Sequence, residues 1–311
     1  MGTGRFAMHR YREATTTLGY WGGGKSIKFG LKQRSERRKI SLLAFDLDGT
    51  LLNSSSEISA FNLSRIKDAV KRGVKITTCS GRIPAFQNMY LTQLNIQGPY
   101  VAINGALIPN GQCGELYAKP LHRSELAELC SFLNERRLHG CVQTKDKLYF
   151  TSENPRTRLV EQYNSLAVGK GLPKAPMGEL ATIMDKVDAI VYKAMIYTTR
   201  QSDLNMVSSF LDGQSGIAYT FSEPGLFDIM TRGVNKGLAI RKVADYYDIP
   251  FEEICAFGDF DNDVPLFEVA GTSVAMGNAK QELKDAATFI TDSNDNDGVG
   301  KALEFLEQYF V

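Results

Sequence analysis

A chain of 311 residues, 43% hydrophobic and 23% charged, has the composition of an ordinary folded protein and is long enough for one large domain or two smaller ones. Its net charge of +1 is unevenly spread: residues 1–39 hold ten Lys/Arg against two Asp/Glu, which leaves the remainder acidic by seven charges. A basic arm on an acidic body argues against a nucleic-acid enzyme, and no apolar run approaches the length of a membrane span.

Taken in chain order, residues 1–39 read as a disordered or targeting extension, or as an over-long start with Met8 as another initiator. Within them Gly19-Tyr20-Trp21-Gly22-Gly23-Gly24-Lys25-Ser26 satisfies the phosphate-loop pattern GxxxxGK[ST]. A working loop needs a buried strand before it and a helix after it. Thr15–Leu18 is a poor strand and Ile27–Arg38 is basic and contains Gly30, so the match reads as coincidence.

Order is expected from Ile40, where Ile40–Phe45 reads as a short buried strand. A helix follows over Glu57–Arg72, with Ser54 and Glu57 at capping-box spacing and Gly73 as its stop. Val74–Cys79 and Tyr100–Ile103 read as second and third strands. This alternation of buried strands and amphipathic helices indicates a parallel sheet covered on both faces. After about Pro120 the rhythm breaks: a helix (Ser124–Arg137), a hairpin (Cys141–Thr151), helices at Thr157–Leu166 and Asp203–Leu211, and strands at Tyr192–Tyr197 and Ala218–Phe221. It resumes with a helix at Lys236–Tyr247, strands at Ile254–Phe257, Ser273–Met276 and Phe289–Ile290, and helices at Gln281–Ala287 and Gly298–Phe310. The expected organisation is a split α/β domain, 40–120 plus 231–311, interrupted by an α+β insertion, 121–230.

The chemistry-bearing residues follow the buried strands. In Asp46-Leu47-Asp48-Gly49-Thr50 the two carboxylates point the same way, and the carboxyl ends of parallel strands are where ligands bind. Crowded carboxylates repel unless a cation or a shared proton lies between them. Gly258-Asp259-Phe260-Asp261-Asn262-Asp263 follows another buried strand and adds further hard oxygen donors, a set that suits Mg²⁺ near a phosphate. The turn Ser80-Gly81-Arg82 offers a hydroxyl and backbone amides, and Lys236 opens a helix where a cation can reach phosphate. The five cysteines are scattered with no CxxC pair, so neither a disulfide framework nor a zinc knuckle is read, and a reducing compartment is expected. His9, His122 and His139 match no metal or triad spacing. The aromatic and Met residues of the insertion, from Tyr149 to Phe221, read as its core.

Together these motifs, with Asn104-Gly105-Ala106, Met276-Gly277-Asn278-Ala279, Phe289-Ile290-Thr291-Asp292 and Asp297-Gly298-Val299, resemble the haloacid dehalogenase superfamily, and within it the Cof-like phosphatases with a C2-type cap. The resemblance covers about residues 40–311. It implies a Rossmannoid, doubly wound parallel-sheet core with an inserted cap that sets specificity, and a phosphatase acting on a small phosphorylated metabolite such as a sugar phosphate, pyridoxal phosphate or flavin mononucleotide. It implies Asp46 as nucleophile and Asp48 as general acid and base. Mg²⁺ would be held by Asp46, the Asp48 carbonyl and Asp259, with Asp263 in support. Ser80, Gly81, Lys236 and Asn262 would bind phosphoryl oxygens. Ser80 and Phe260 depart from residues common in the family. No nucleic-acid or membrane partner is expected. The cytoplasm is the expected location, or an organelle if residues 1–39 are a transit peptide. A phosphomutase and a non-catalytic phospho-ligand sensor are the competing readings.

Overall fold

The computed structural model describes residues 39–311 apart from 153, 155, 182–188 and the side chain of Gln112. The basic arm before Lys39, with Met8, His9 and the Gly19–Ser26 stretch, lies outside the described residues.

The apolar run after Ile40 forms β1 (Leu42–Phe45), in which every residue is fully buried. Such a strand has no solvent face and must sit in a sheet covered on both sides. The chain then turns through Asp46–Thr50 and enters α1 (Ala60–Lys71). The capping box expected at Ser54 and Glu57 does not form. Ser59 caps the helix instead, its hydroxyl accepting from the Asn62 amide at 3.0 Å. Ser54 is drawn away to Asp295, donating its hydroxyl at 2.6 Å. β2 (Lys75–Thr78) follows Gly73, and α2 (Pro84–Leu94) is a helix absent from the sequence reading. The third strand expected at Tyr100–Ile103 is reduced to single bridges, Val101 with Cys79 and Ala102 with Leu107. The run is too short to ladder further, because the backbone turns at once into left-handed conformations at Ile103 and Asn104 (φ +53° and +52°). A small hairpin of β3 (Leu107–Pro109) and β4 (Glu115–Ala118) follows it.

The next stretch builds a second layer. It begins with α3 (Arg123–Arg136), capped by His122, whose ring nitrogen accepts from the Ser124 amide at 3.4 Å while Glu125 accepts from the His122 amide at 3.1 Å. There follow β5 (His139–Gln143), β6 (Leu148–Phe150), α4 (Thr157–Gly169), β7 (Met177–Glu179), β8 (Lys193–Tyr197), α5 (Gln201–Asp212), β9 (Ile217–Glu223) and β10 (Leu226–Thr231). The strands form a six-stranded, mainly antiparallel sheet in the order β7-β6-β5-β8-β10-β9. Its strands alternate faces, as a period of two requires. Val142, Ala194, Ile196, Phe227 and Ile229 pack with Leu129, Phe132 and Leu133 of α3 and Val207 and Leu211 of α5. Cys141, Met195, Leu226 and Met230 instead join the apolar cluster of the first layer. The chain enters this second layer at Pro120 and leaves it at Thr231, whose hydroxyl donates to the Pro120 carbonyl at 2.8 Å.

The strand–helix rhythm returns with α6 (Lys236–Tyr246), β11 (Ile254–Gly258), α7 (Val264–Val269), β12 (Thr272–Ala275), α8 (Gln281–Ala286), β13 (Phe289–Ile290) and α9 (Gly298–Leu306). These strands join β1 and β2 in a five-stranded sheet, order β13-β12-β11-β1-β2, with every pairing parallel. Helix α1 packs beside α9, and α6 beside α7. The fold is therefore α/β, a parallel sheet covered by helices, with a separate second sheet. Phe45 and Phe257, on the neighbouring interior strands β1 and β11, meet with ring centroids 5.0 Å apart and a tilt of 32° beneath the strand ends. Each buried ring contributes roughly 2–3 kcal/mol of hydrophobic stabilisation, so the floor of the site is firm. No described helix is long and apolar enough to cross a membrane.

Candidate active site

β1 and β11 are neighbours and parallel, so the residues following each emerge on one edge of the sheet. Asp46 follows β1 and is 6% exposed; its amide donates to the Phe257 carbonyl at 3.1 Å. Asp259 follows β11. Gly49 turns the chain between them at φ +76°, and a Cβ there would lie 2.8 Å from the Asp259 carboxyl carbon, so glycine is needed for both conformation and space. Thr50 donates its hydroxyl to Asp259 Oδ1 at 2.8 Å, and Asn278 donates to the Gly49 carbonyl at 2.8 Å.

Carboxylate oxygens of Asp46, Asp259 and Asp263 all lie within 4.8 Å of one another. Lys236, the first residue of α6, is fully buried and reaches Asp46 Oδ1 at 2.5 Å and Asp263 Oδ1 at 2.7 Å. It is delivered there because the Asn235 side chain caps α6, accepting from the Leu238 amide at 2.7 Å. The other oxygen of Asp263 accepts from the amides of Asp259 and Phe260 at 2.9 and 3.2 Å. Asp263 thus holds its own loop closed and steers the lysine, with Asp46 and Asp259 nearer the front of the group.

Burial is the main reason the Asp46 carboxyl titrates well above its ordinary range; Lys236 opposes this, while Asp263 and Asp259 add to it. Asp259 is pushed up to about 7, first by burial and then by Asp263, with Thr50 and Lys236 opposing. Lys236 loses charge stability through burial, but Asp263 and Asp46 more than restore it, and its pKa rises. One buried ammonium is too little positive charge for three crowded carboxylates. A donor set made wholly of hard oxygens that is short of positive charge fits a small divalent cation such as Mg²⁺.

Asp48 points elsewhere. Its side chain is 60% exposed and is gripped by Arg82, Nη2 to Oδ1 at 2.5 Å and Nε to Oδ2 at 2.8 Å. Loss of surrounding water raises the Asp48 pKa, but the Arg82 charge and hydrogen bonds outweigh it and leave the carboxyl below its ordinary value. Arg82 also donates to Tyr90 Oη at 3.3 Å and lies 5.8 Å from the ring of Tyr163 on α4.

Ser80 is buried, and its hydroxyl accepts from the Arg82 amide at 3.2 Å. Asn262 donates to Asn104 Oδ1 at 3.2 Å, and the Asn104 amide donates to the Ser80 carbonyl at 3.0 Å, so Asn104 ties these two loops together. The Gly81 carbonyl accepts from Lys193 at 3.0 Å. The ring of Phe260 is covered by the Lys280 ammonium at 4.1 Å, which also pairs with Asp261 at 2.6 Å.

The structure therefore gathers Asp46, Asp259, Asp263 and Lys236 tightly, sets Asp48 at the rim, and links Ser80, Gly81 and Asn262 through hydrogen bonds. Sequence reading assigned no role to Arg82, Thr50, Asn104, Lys193 or Asp228. For the last two a signal existed: each is a charge inside an apolar run, Val191–Ile196 and Leu226–Met230, which is costly unless paired.

A family profile described as haloacid dehalogenase-like hydrolase matches residues 43–303. The chain is 32% identical over 281 residues to the 5-amino-6-(5-phospho-D-ribitylamino)uracil phosphatase YwtE of Bacillus subtilis (strain 168), covering 85% of this chain and 97% of that protein. It is 29% identical over 276 residues to the phosphatase of the same description, YitU, from the same organism, covering 86% and 97%. A haloacid dehalogenase-like hydrolase from Bacteroides thetaiotaomicron has a similar structure, with a TM-score of 0.74 at 27% identity over 86% of this chain and 100% of the other. One from B. subtilis shares the fold with a TM-score of 0.76 at 23% identity, over 86% and 100%. With strand-end carboxylates, buried lysine and both sheets inside the matched span, the chain belongs to the haloacid dehalogenase-like hydrolase family.

Proposed function

We propose that this chain is a Mg²⁺-dependent phosphatase that hydrolyses a small phosphorylated metabolite through a phosphoryl group carried on Asp46. The observation that carries this reading is the convergence of Asp46, Asp259 and Asp263, oxygens within 4.8 Å, around the buried Lys236 ammonium. Asp46, Asp259 and the Asp48 carbonyl would hold the ion, with Asp263 behind them. When bound, it supplies the positive charge that lets the crowded carboxylates ionise together and offsets charge on the phosphoryl oxygens.

Asp46 attacks phosphorus; the Asp46–phosphorus bond forms as the ester bond breaks. Asp48, once released from the Arg82 grip that keeps it ionised, takes up a proton and gives it to the departing oxygen. It then takes one from the water that attacks the same phosphorus and frees Asp46. Ser80 Oγ, the Gly81 amide, Lys236 Nζ and Asn262 Nδ2 hold the phosphoryl oxygens. Arg82 keeps Asp48 at the mouth. Phosphoryl transfer asks chiefly for alignment and neutralised charge, which this set supplies.

Residues 121–230 act as a cap over a core of 40–120 and 231–311, and close over the bound ester to exclude water. The substrate is a monoester of sugar phosphate, pyridoxal phosphate or flavin mononucleotide size. The relatives named for a phosphoribitylamino-uracil support that size class. The scattered cysteines, with no CxxC spacing among them, support placement in the reducing cytoplasm.

The test is phosphate release from an aryl phosphate with Mg²⁺ or with chelator, for wild type and Asp46→Asn, followed by a metabolite panel that includes the phosphoribitylamino-uracil. Chelation and Asp46→Asn are each expected to abolish release, and acid quenching to trap phosphate on wild-type protein alone. Turnover by Asp46→Asn at the wild-type rate would overturn the reading. A phosphorylated isomer as product would mark a mutase, and binding without turnover a sensor.

A further inference from the structure

Two buried charges in the second layer are not used by the chemistry above. Lys193 on β8 is 2% exposed and Asp228 on β10 is fully buried, with the ammonium 2.9 Å from Asp228 Oδ1. Their strands are neighbours, and alternation places both on the sheet face that carries Met195 and Met230 toward the first layer. A buried ion pair adds little net stability, because desolvation offsets the attraction, and apolar residues of similar volume would serve the sheet as well or better. The contacts of this pair across the interface give it a different purpose. Lys193 donates to the Gly81 carbonyl at 3.0 Å, and Asp228 Oδ2 accepts from Asn104 Nδ2 at 2.8 Å. Each charge therefore has one partner in its own layer and one in the other.

Asn104 is where that second partner matters. Asn104 and Ile103 both lie in the left-handed region, a strained choice for a β-branched residue that surrounding contacts must hold. The Asn104 amide binds the Ser80 carbonyl, and its side-chain oxygen accepts from Asn262. The next residue, Gly105 at φ +97°, lies against the Asn235 carbonyl, where a Cβ would sit 2.9 Å from its carbon, and Asn235 caps the helix that presents Lys236. One short segment thus touches the loops that carry Ser80, Asn262 and Lys236.

We propose that Lys193 and Asp228 are positioning residues: seated on Gly81 and Asn104, they align the phosphate-binding loops only while the cap is docked, which couples docking to phosphoryl transfer. An undocked cap leaves Asn104 Nδ2 without its charged acceptor and the Gly81 carbonyl without its donor, so the two states differ in satisfied hydrogen bonds as well as in position. This inference rests on the reading of Asp46 as nucleophile and of Ser80, Lys236 and Asn262 as phosphate ligands.

The test uses the full chain carrying Lys193→Met together with Asp228→Leu. Removing both charges leaves no lone buried ion, so the fold is retained, with the thermal midpoint lowered only by the two hydrogen bonds lost at Gly81 and Asn104. With an aryl phosphate and Mg²⁺, kcat is expected to fall about a hundredfold, the scale of a misplacement of about 1 Å. Orthophosphate in Mg²⁺ is expected to titrate one site per chain, with a dissociation constant within about threefold of wild type, because alignment acts on the transition state more than on ground-state binding. A folded double variant with wild-type kcat overturns the proposal. So does a fall in kcat matched by a loss of phosphate sites, which makes the pair merely structural. Asp46→Asn is run alongside: if it still turns over, the underlying reading fails, whereas an inactive Asp46→Asn beside an unimpaired double variant sinks the positioning role alone.

Discussion

The Asp259 carboxyl titrates near 7 in the folded, metal-free chain and near 3.8 when unperturbed, so between those values the folded state holds a proton that the unfolded chain has released. Stability from this group is complete below about pH 4 and is lost as pH rises through about 7, an effect of the order of 4 kcal/mol. A divalent cation such as Mg²⁺, as proposed, would bind the ionised form, so it is expected to restore what the rise in pH removes. The unfolding midpoint in chelator should fall between pH 5 and pH 7.5, and the gap to the Mg²⁺-saturated protein should widen; a gap independent of pH would remove Asp259 from the metal site. Lys236→Met leaves Asp46 and Asp263 without the cation between them. Thermal unfolding is expected to show a loss of about 3 kcal/mol, and kcat to fall by more than about a hundredfold. At this scale the meeting of Asp46 with Asp259 was legible, because strand-end position is a property of the local chain. The shared direction expected of Asp46 and Asp48 was not met, because β1 ends at Phe45 and strand alternation ends with it. Arg82 was visible as a residue, but its two-pronged hold on Asp48 was not, since that pairing joins turns after different strands.

Among the elements, the turn at Asn104–Gly105 bears more than its length suggests. Gly105→Ala must adopt φ +97° against the Asn235 carbonyl, so it is expected to destabilise the chain by about 1–3 kcal/mol and to lower kcat through the displaced start of α6. Calorimetry with steady-state kinetics checks both, and an unchanged kcat in a folded Gly105→Ala protein would uncouple this turn from the site. The strands β1 and β11 were legible because a strand buried on both faces is marked by an unbroken apolar run. Helix α2 was not: Gln87 is fully buried within it and accepts from the Thr78 hydroxyl at 2.7 Å, so a polar residue interrupts the apolar stripe. Tyr100–Ile103 was read as a strand on apolarity alone, and Ser54 as a cap on spacing alone. In both cases a partner distant in sequence decided the outcome.

At the scale of the whole molecule, Tyr163 is one of the polar groups through which the two layers meet. Its hydroxyl donates to the Ala85 carbonyl at 2.8 Å, and its ring meets Phe86 edge-on at 4.5 Å. Tyr163→Phe removes the hydrogen bond, worth about 1 kcal/mol, and keeps the ring contact. Amide exchange around Ala85 is expected to quicken while global stability moves little, and kcat to fall by no more than about fivefold; exchange that quickens throughout α3 and α5 instead would show that the second layer itself had loosened. Where the strand–helix rhythm breaks and resumes was visible in the sequence. Which face of the second sheet turns inward was not, because Lys193 and Asp228 declare it only once their partners Gly81 and Asn104 are in place.

The neck between the layers, where the Thr231 hydroxyl grips the Pro120 carbonyl, brings the outgoing and returning chain to one spot. A polypeptide that departs and comes home at the same doorstep can have everything beyond it exchanged, like a fresh head on an old handle. New grips for new molecules can then arise by swapping one contiguous stretch, while the carboxylates beneath stay as they are.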